Sequence, residues 1–488
     1  MKKIIVILLL AKSFSLSAND AVLTFSLQET IALAQVQSPQ ILQARHQFRS
    51  SYWHHVYHRA NFLPSLTFSS DPFLNRRLNP ITQSDGTIVF RPQNVLNTDA
   101  TFTISQNVPL TGGSVFVRSS LHRLDLLNDN THSYLSTPLV VGFSQSLFGF
   151  NQLRWDRRIE PLRFAEAKRR YVEHLELVAV RAVALFFNLA MAQTNLEIAR
   201  TNFENAEMNF GFAQGRYNIG TITENDMLQL EVRKLTEEGN RLMAQMQLDD
   251  AMENLRAFLG IRETLPIEVI IDSEIPLLFI DESRALRYAQ ENATDMLTMQ
   301  RRQLESESAV ARTRANTGLR VDLYMEFGLA QTGADIPTAY RNPLDQQFVQ
   351  LGVRLPILDW GRGRGQREVA RSNRDLVQAQ VEQDQINFEM NVTRLVNQFN
   401  LQPHQLNVAS RVAETAERQN EIARRLFLLD RITILELNNS TAERDAMKRN
   451  FINTLHTYWS LYYMLRSITL FDFQQNIPIV EDYQLLIR

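Results

Sequence analysis

Along the 488-residue chain the apolar positions keep two beats, one helical and one strand-like. The helical beat fills two long tracts. The first runs roughly from Asn151 to Tyr217, breaks near Gly220 and resumes from about Glu224 to Leu259. The second runs from Gly363 to Phe427, breaks near Asp430 and resumes from Ile434 to Ile468. In the first, Ala192, Leu196, Ala199, Phe203, Ala206, Phe210 and Ala213 alternate spacings of four and three, a heptad seam that predicts supercoiling. Leu406, Ala409, Ala413, Ala416 and Ala423 repeat it, with Asn420 in the seam. Leu228, Val232, Leu235, Leu242 and Met246 on the return helix offer the seam's other side. A helix of about 65 residues spans on the order of 100 Å, too long to bury itself in a compact domain. Pro403 falls inside the second tract, where it is expected to kink or interrupt the helix.

The tracts superpose under a constant shift of 210: Leu196 meets Leu406, Ala206-Glu207 meets Ala416-Glu417, and Ile222-Thr223 meets Ile432-Thr433. An ungapped register that aligns both helix breaks reads as an internal duplication. The amphipathic helices expected from Leu27 to Phe62 and from Ser283 to Thr317 match under a shift of 255, as Arg59-Ala60-Asn61 against Arg314-Ala315-Asn316. The first half therefore holds about 45 extra residues before its long helix.

Between these helices the beat changes to two. Val321, Leu323, Met325, Phe327 and Leu329 alternate with Asp322, Tyr324, Glu326, Gly328 and Ala330. Val349, Leu351, Val353 and Leu355 alternate with Phe348, Gln350, Gly352 and Arg354. One apolar and one polar face over nine or ten residues suits a tilted membrane-spanning strand. Asp322, Glu326, Gln350 and Arg354 become candidates for a barrel lumen. The first half adds Ala100 to Val108, Ser114 to Leu121 and Leu139 to Leu147, with a hairpin turn at Thr111-Gly112-Gly113. Four to six strands split between two halves make a poor sandwich core but complete a barrel when copies assemble.

The expected plan is a signal segment at 1–18, then a first repeat over 19–261 with strands in 64–147 and a helical hairpin at 151–260. A proline-bearing linker, 262–281, leads to a second repeat over 282–471, with strands in 321–357 and a hairpin at 363–468, and a tail at 472–488. The signal reading rests on Lys2 and Lys3, the apolar run Ile4 to Ala11, and small residues near Ser17 and Ala18. After it, no apolar run is expected to span a bilayer as a helix. The chain lacks cysteine, which excludes disulfides, thiol nucleophiles and a lipidated cysteine. A net charge of −2 argues against a nucleic-acid partner.

The duplicated halves, the leading helix Leu27 to Ile41, the strand-to-helix passage Leu355-Pro356-Ile357-Leu358-Asp359-Trp360-Gly361 and the turn Arg216 to Asp226 together resemble the TolC-like outer-membrane efflux protein family. The resemblance covers nearly the whole mature chain. It implies a mainly α fold with a β-barrel part, completed as a homotrimeric α/β tube in the lipids of the outer membrane, its helical body in the periplasm. Each protomer would lend strands to a shared barrel and four helical strands to a tunnel. The turns Gly220, Thr221, Ile222, Thr223 and Asp430, Arg431, Ile432, Thr433 would form the periplasmic tip, meet a periplasmic adaptor (membrane fusion) protein and an inner-membrane RND or ABC pump, and open like an iris. Asp226, Glu436 and Asn439 match the family's pore constriction. Asn439 stands where the family carries aspartate, Asp430 where it carries glycine, and Phe427 and Ile432 where it carries an inter-helix tyrosine and arginine. Ordinary polarity at a helix start accounts for Asp226 and Glu436 equally well.

No catalytic, cofactor or metal site is expected. Gly361-Arg362-Gly363-Arg364-Gly365 lacks the ending of a phosphate loop. His54 and His58, four apart on a helix, have no third ligand in view. Three functions compete: an exit duct for small toxic molecules in a tripartite pump, the outer channel of a type I protein secretion system, and a non-conducting structural coiled coil.

Overall fold

The computed structural model describes residues 22–271, 278–429 and 431–487; the expected signal segment and Asp430 lie outside them. In chain order the elements are β1 (Leu23–Ser26), α1 (Leu27–Gln37), α2 (Pro39–Ala60), β2 (Ser65–Ser69), β3 (Phe73–Thr82), β4 (Ile88–Val108), β5 (Gly113–Leu126) and β6 (Thr131–Leu147). There follow α3 (Gln152–Asn218), α4 (Glu224–Leu259), β7 (Ile267–Ile270), α5 (Glu282–Asn292), α6 (Thr294–Asn316), β8 (Arg320–Gly333), α7 (Ile336–Ala339) and β9 (Leu344–Arg354). The chain ends with α8 (Arg362–Leu428), α9 (Ile434–Thr469), β10 (Phe471–Asp472), β11 (Ile477–Pro478) and α10 (Tyr483–Ile487). The described residues form two compact units, one within 22–49, 166–296 and 384–487, the other of 50–165 and 297–383.

The duplication holds to the residue. The bounds of α3 and α4 return 210 positions later as those of α8 and α9. Each leading helix is two helices rather than one, broken at Ser38 and, 255 residues on, at Ala293. Ser38 precedes Pro39, whose ring disfavours helical backbone at its neighbour, and Ser38 takes ψ 144°. Ala293 makes the same break at ψ 141° without a following proline. Upstream, Ser26 caps α1 in a reciprocal box with Glu29, and Asp281 caps α5 at the equivalent place. The linker contains structure of its own: β7 pairs in parallel with β1, Leu23 opposite Ile267.

In the first unit, Phe186 and Leu189 of α3, Phe399 of α8, and Leu455 and Tyr458 of α9 are all fully buried. Contrary to the sequence expectation, α3 does contain a stretch long and apolar enough to span a membrane. Ala182, Val183, Phe186 and Leu189 of that helix are buried, the state of a core helix. Nor does Pro403 interrupt α8, which continues to Leu428. The missing N–H costs about 3 kcal/mol. Burial of Phe399 and Leu406 on either side offsets it at roughly 1.5–3 kcal/mol each.

The return helix differs from expectation in a more consequential way. Leu196 and Ala199 of α3 pack on Ala244 and Leu248 of α4, while Leu228, Val232, Leu235, Leu242 and Met246 are exposed. Toward α3 the helix instead presents Lys234 and Arg241, whose cationic ends sit 5.8 Å from the Phe210 ring and 5.2 Å from the Phe203 ring. The apolar stripe is left outside. In the second hairpin the seam residue Asn420 is 1% exposed and donates to Thr441 Oγ1 at 3.0 Å.

A buried charge network ties the tail to the helices. Arg466 of α9 forks onto Glu176 of α3 at 2.8 and 3.1 Å and donates to Asp472 at 2.8 Å. Asp472 also accepts from Tyr462 at 2.9 Å and from the backbone of Gln474 and Gln475. Burial opposes the arginine's charge, but Glu176, Tyr463 and Asp472 together outweigh it and hold the guanidinium protonated.

The second unit is built on one sheet, with β2–β4–β5–β6–β8–β9 in order and β3 also on β4. Every pairing in it is antiparallel. The strands outrun expectation: β4 is 21 residues long, because its first part pairs with β3 in a hairpin of mixed apolar and polar residues that shows no alternation. The register of β6 shifts against both neighbours around Pro138, a residue that cannot donate to the ladder.

Removing Arg466 strands two buried carboxylates. Arg466→Met is expected to cost about 3–5 kcal/mol, read as a lowered thermal midpoint and faster hydrogen exchange in α9; an unchanged midpoint would show the network to be dispensable.

Candidate pore wall and tip turns

The sheet is one layer thick and its two faces differ. Ladder partners share a face, so Ser65, Thr67, Thr101, Thr103, Ser105, Arg118, Ser120, Tyr324 and Gln350 lie together. The four residues expected on a lumen share it: Asp322 opposite Gly352, Glu326 opposite Phe348, Gln350 opposite Tyr324, and Arg354 opposite Arg320. The other face carries Leu66 at 68% exposure, Phe102, Ile104, Val141, Phe327, Val349, Leu351 and Val353 at 64%. In the central strands the polar face is the more sheltered: Thr101 and Thr103 are half-buried while Phe102 and Ile104 are exposed.

Glu326 is the most buried of the four, at 8% exposure. Arg118 pairs with it at 2.7 Å, and the Tyr324 hydroxyl donates to the same oxygen. Phe116 lies flat over Gly142, where any Cβ would collide with its ring, and stacks 6.0 Å from Tyr324. The result is an aromatic patch around one neutralised ion pair in a wall of mixed, largely polar residues. Sequence reasoning missed Arg118 because its partner is 208 residues away; the usable signal was a lone charge on the polar parity of its strand.

In the first unit the two tip turns share one closing bond. Gly220 takes φ +75°, Thr221 N–H reaches Arg216 O at 2.9 Å and Gly220 N–H reaches Tyr217 O at 2.8 Å, a glycine-terminated helix end. In the second turn Arg431 N–H reaches Leu426 O at 3.0 Å. Thr221 and Arg431 are exposed, Ile222 and Ile432 half-buried.

The next helix then starts on a reciprocal cap. Thr223 accepts from Asp226 N–H at 3.2 Å while Asp226 accepts from Thr223 N–H at 3.2 Å and its hydroxyl at 2.7 Å. Thr433 and Glu436 repeat it, with Glu436 accepting from Thr433 N–H at 2.7 Å. The two candidate constriction carboxylates thus hold the helix starts, and the Thr-x-x-Asp/Glu spacing was the readable signal. Hydrogen bonds from Thr223, side chain before backbone, keep Asp226 below the usual carboxylate range; Thr433, backbone before side chain, does the same for Glu436. Asn439 is exposed one turn further along α9.

The discounted motifs have structural roles. Asp359 accepts from Gly361 and Gly363 N–H at 3.0 and 2.8 Å, occupying the amides a phosphate would need at the start of α8. His54 and His58 each face their own carboxylate on α3, Glu160 at 3.6 Å and Asp156 at 3.8 Å, rather than a shared point.

A family model described as outer membrane efflux protein matches residues 30–261 and 285–454. No curated protein matches the chain. Among solved structures, the Campylobacter jejuni CmeC outer membrane channel is similar at 14% identity, with 94% of this chain and 88% of that chain covered and a TM-score of 0.66. The outer membrane protein VceC of Vibrio cholerae is similar at 15% identity, 91% and 95% coverage and a TM-score of 0.61. The open-state MtrE outer membrane channel of Neisseria gonorrhoeae is similar at 12% identity, 93% and 93% coverage and a TM-score of 0.58.

Each cap is a local helix determinant. Thr223→Ala and Thr433→Ala are each expected to cost about 1 kcal/mol of helix-start stability, seen as faster exchange of first-turn amides. Both carboxylates have depressed folded values, so their contribution is complete above the ordinary values of 3.8 and 4.5 and is lost as pH falls through the lower folded ones. Exchange at both starts should accelerate in that acid window; acceleration near neutrality would contradict the cap assignment.

Proposed function

The chain belongs to the outer membrane efflux protein family, and from that premise we propose that it is the passive exit duct of a tripartite export system for small toxic molecules. Its sheet belongs in the outer membrane and its helical body in the periplasm. The observation that carries the proposal is the single-layer sheet, apolar on its exposed face and polar on its sheltered one. Lipid suits the first face and water the second. A solid structural stalk has no use for a largely polar inner wall, which disfavours the non-conducting reading.

Copies complete the duct, three in number as the family resemblance implies. Supporting this, Leu228, Val232, Leu235, Leu242 and Met246 form an exposed stripe at coiled-coil spacing on α4. Left in water these side chains forgo roughly 1.5–3 kcal/mol each, which a neighbouring helix recovers. The tip turns, Gly220 to Thr223 and Asp430 to Thr433, are read as the contact for a periplasmic adaptor. Exposed Ile219 and Leu429 beside them supply apolar contact area. Asp226, Glu436 and Asn439 are read as the constriction, where ionised carboxylates favour cations. Energy comes from an inner-membrane pump reached through the adaptor.

Two measurements test this. A photoreactive residue at Asn225 or Ile432 should capture a periplasmic adaptor in cells; an adaptor of a proton-driven pump fits small-molecule efflux, an adaptor of an ABC exporter redirects the reading to protein secretion, and efficient labelling with no adaptor removes the pump altogether. Leu235→Glu should reduce the assembled fraction, read by mass in detergent, while leaving helix content intact; full assembly would show that the stripe does not join copies.

A further inference from the structure

The two halves contribute unequally to the wall. Between α6 and α8 the chain crosses the sheet twice, in β8 and β9. Between α2 and α3 it crosses four times. β2 and β3 share one edge of β4 end to end, β3 against 88–97 and β2 against 101–105, and so make one interrupted column. β4, β5 and β6 complete the set. The described residues therefore give six columns, one hairpin from the second half and two from the first.

The additional hairpin is fastened in place. Asn151, just before α3, donates to the carbonyls of Pro109 and Leu110 in the β4–β5 turn at 3.0 and 3.2 Å. Gln106 and Asn107, at the end of β4, donate to Phe62 and Asn61 at 3.0 Å, just past α2. Its strands keep the alternation of the rest: Phe102 and Ile104 exposed on the apolar face, Thr101 and Thr103 half-buried on the polar one.

Parity then governs closure. In an antiparallel sheet of six columns the two edges run in opposite directions. The β9 edge of one copy beside the β2/β3 edge of the next is again antiparallel, with polar faces on the same side. An odd number of columns would set parallel edges together.

We propose that all six columns are membrane wall, so that a three-copy ring closes about eighteen columns, half again as many as one hairpin per half would give. This rests on the three-copy assembly proposed above. Barrels of that size enclose a water-filled channel rather than a packed interior. The membrane section is then a wide bore that hydrated solutes cross without shedding water, and selection lies elsewhere along the path.

The chain's lack of cysteine makes a labelling test direct. Single cysteines at Thr103, Phe102 and Ile104 on β4, and at Gln350 and Val349 on β9 as reference, are probed in vesicles with a membrane-impermeant maleimide, and copy number is read by mass in detergent. Three copies, with Thr103→Cys and Gln350→Cys labelled and the other three protected, is the expected result. Three copies with β9 alternating but Phe102→Cys and Ile104→Cys labelled as readily as Thr103→Cys would put the hairpin outside the wall and overturn the inference, leaving the assembly intact. A copy number other than three would overturn the eighteen-column ring together with the assembly it rests on.

Discussion

A sheet one layer thick leaves its apolar face without a packing layer, and that constraint shapes this protein. Soluble domains solve it with a second layer of helices or strands. Here the described residues place nothing over Leu66, Phe102, Leu351 and Val353, which remain exposed. In the outer membrane, lipid supplies the layer that the apolar face lacks. Once that is accepted, the alternation of the strands, the antiparallel edges and the polarity of the inner wall follow from it.

The helical unit meets the opposite problem, since it has more apolar faces than one chain can cover. Alanines in the seam allow close approach, yet α4 turns its apolar stripe outward and offers Lys234 and Arg241 to the phenylalanines of α3. Cations over rings let the intrachain contact form without spending Leu228, Val232 and Leu235 on it. Deeper in the unit, Arg466 joins Glu176 of α3 to Asp472 of the tail through a buried charge network.

Much of this was legible in the sequence. The shift of 210 set four helix limits because a break repeated in register marks a turn, and the period of two put Asp322, Glu326, Gln350 and Arg354 on one face. What escaped was what a local pattern does not encode. A heptad stripe identifies an apolar face but not its partner, so the outward stripe of α4 was assigned inward. Pro39 signalled the break at Ser38, whereas Ala293 carries no signal beyond its place in the repeat. The long hairpin of β3 and early β4 is exposed on both sides and therefore shows no alternation to read. At the tips, the carboxylates expected to narrow a pore hold the helix starts, a capping role that the same Thr-x-x-Asp/Glu spacing encodes.

The pairing of edges also limits how such a chain can change its girth. A single added strand would reverse the direction of everything after it, sending the next long helix out of the wrong side of the membrane. Growth is possible only in whole hairpins, one up and one down, each returning the chain to the side it left. The first half, with one hairpin more than the second, records one such step, taken without disturbing the helical register that follows it. Wall circumference and helix length are thus inherited as separate characters in a single polypeptide.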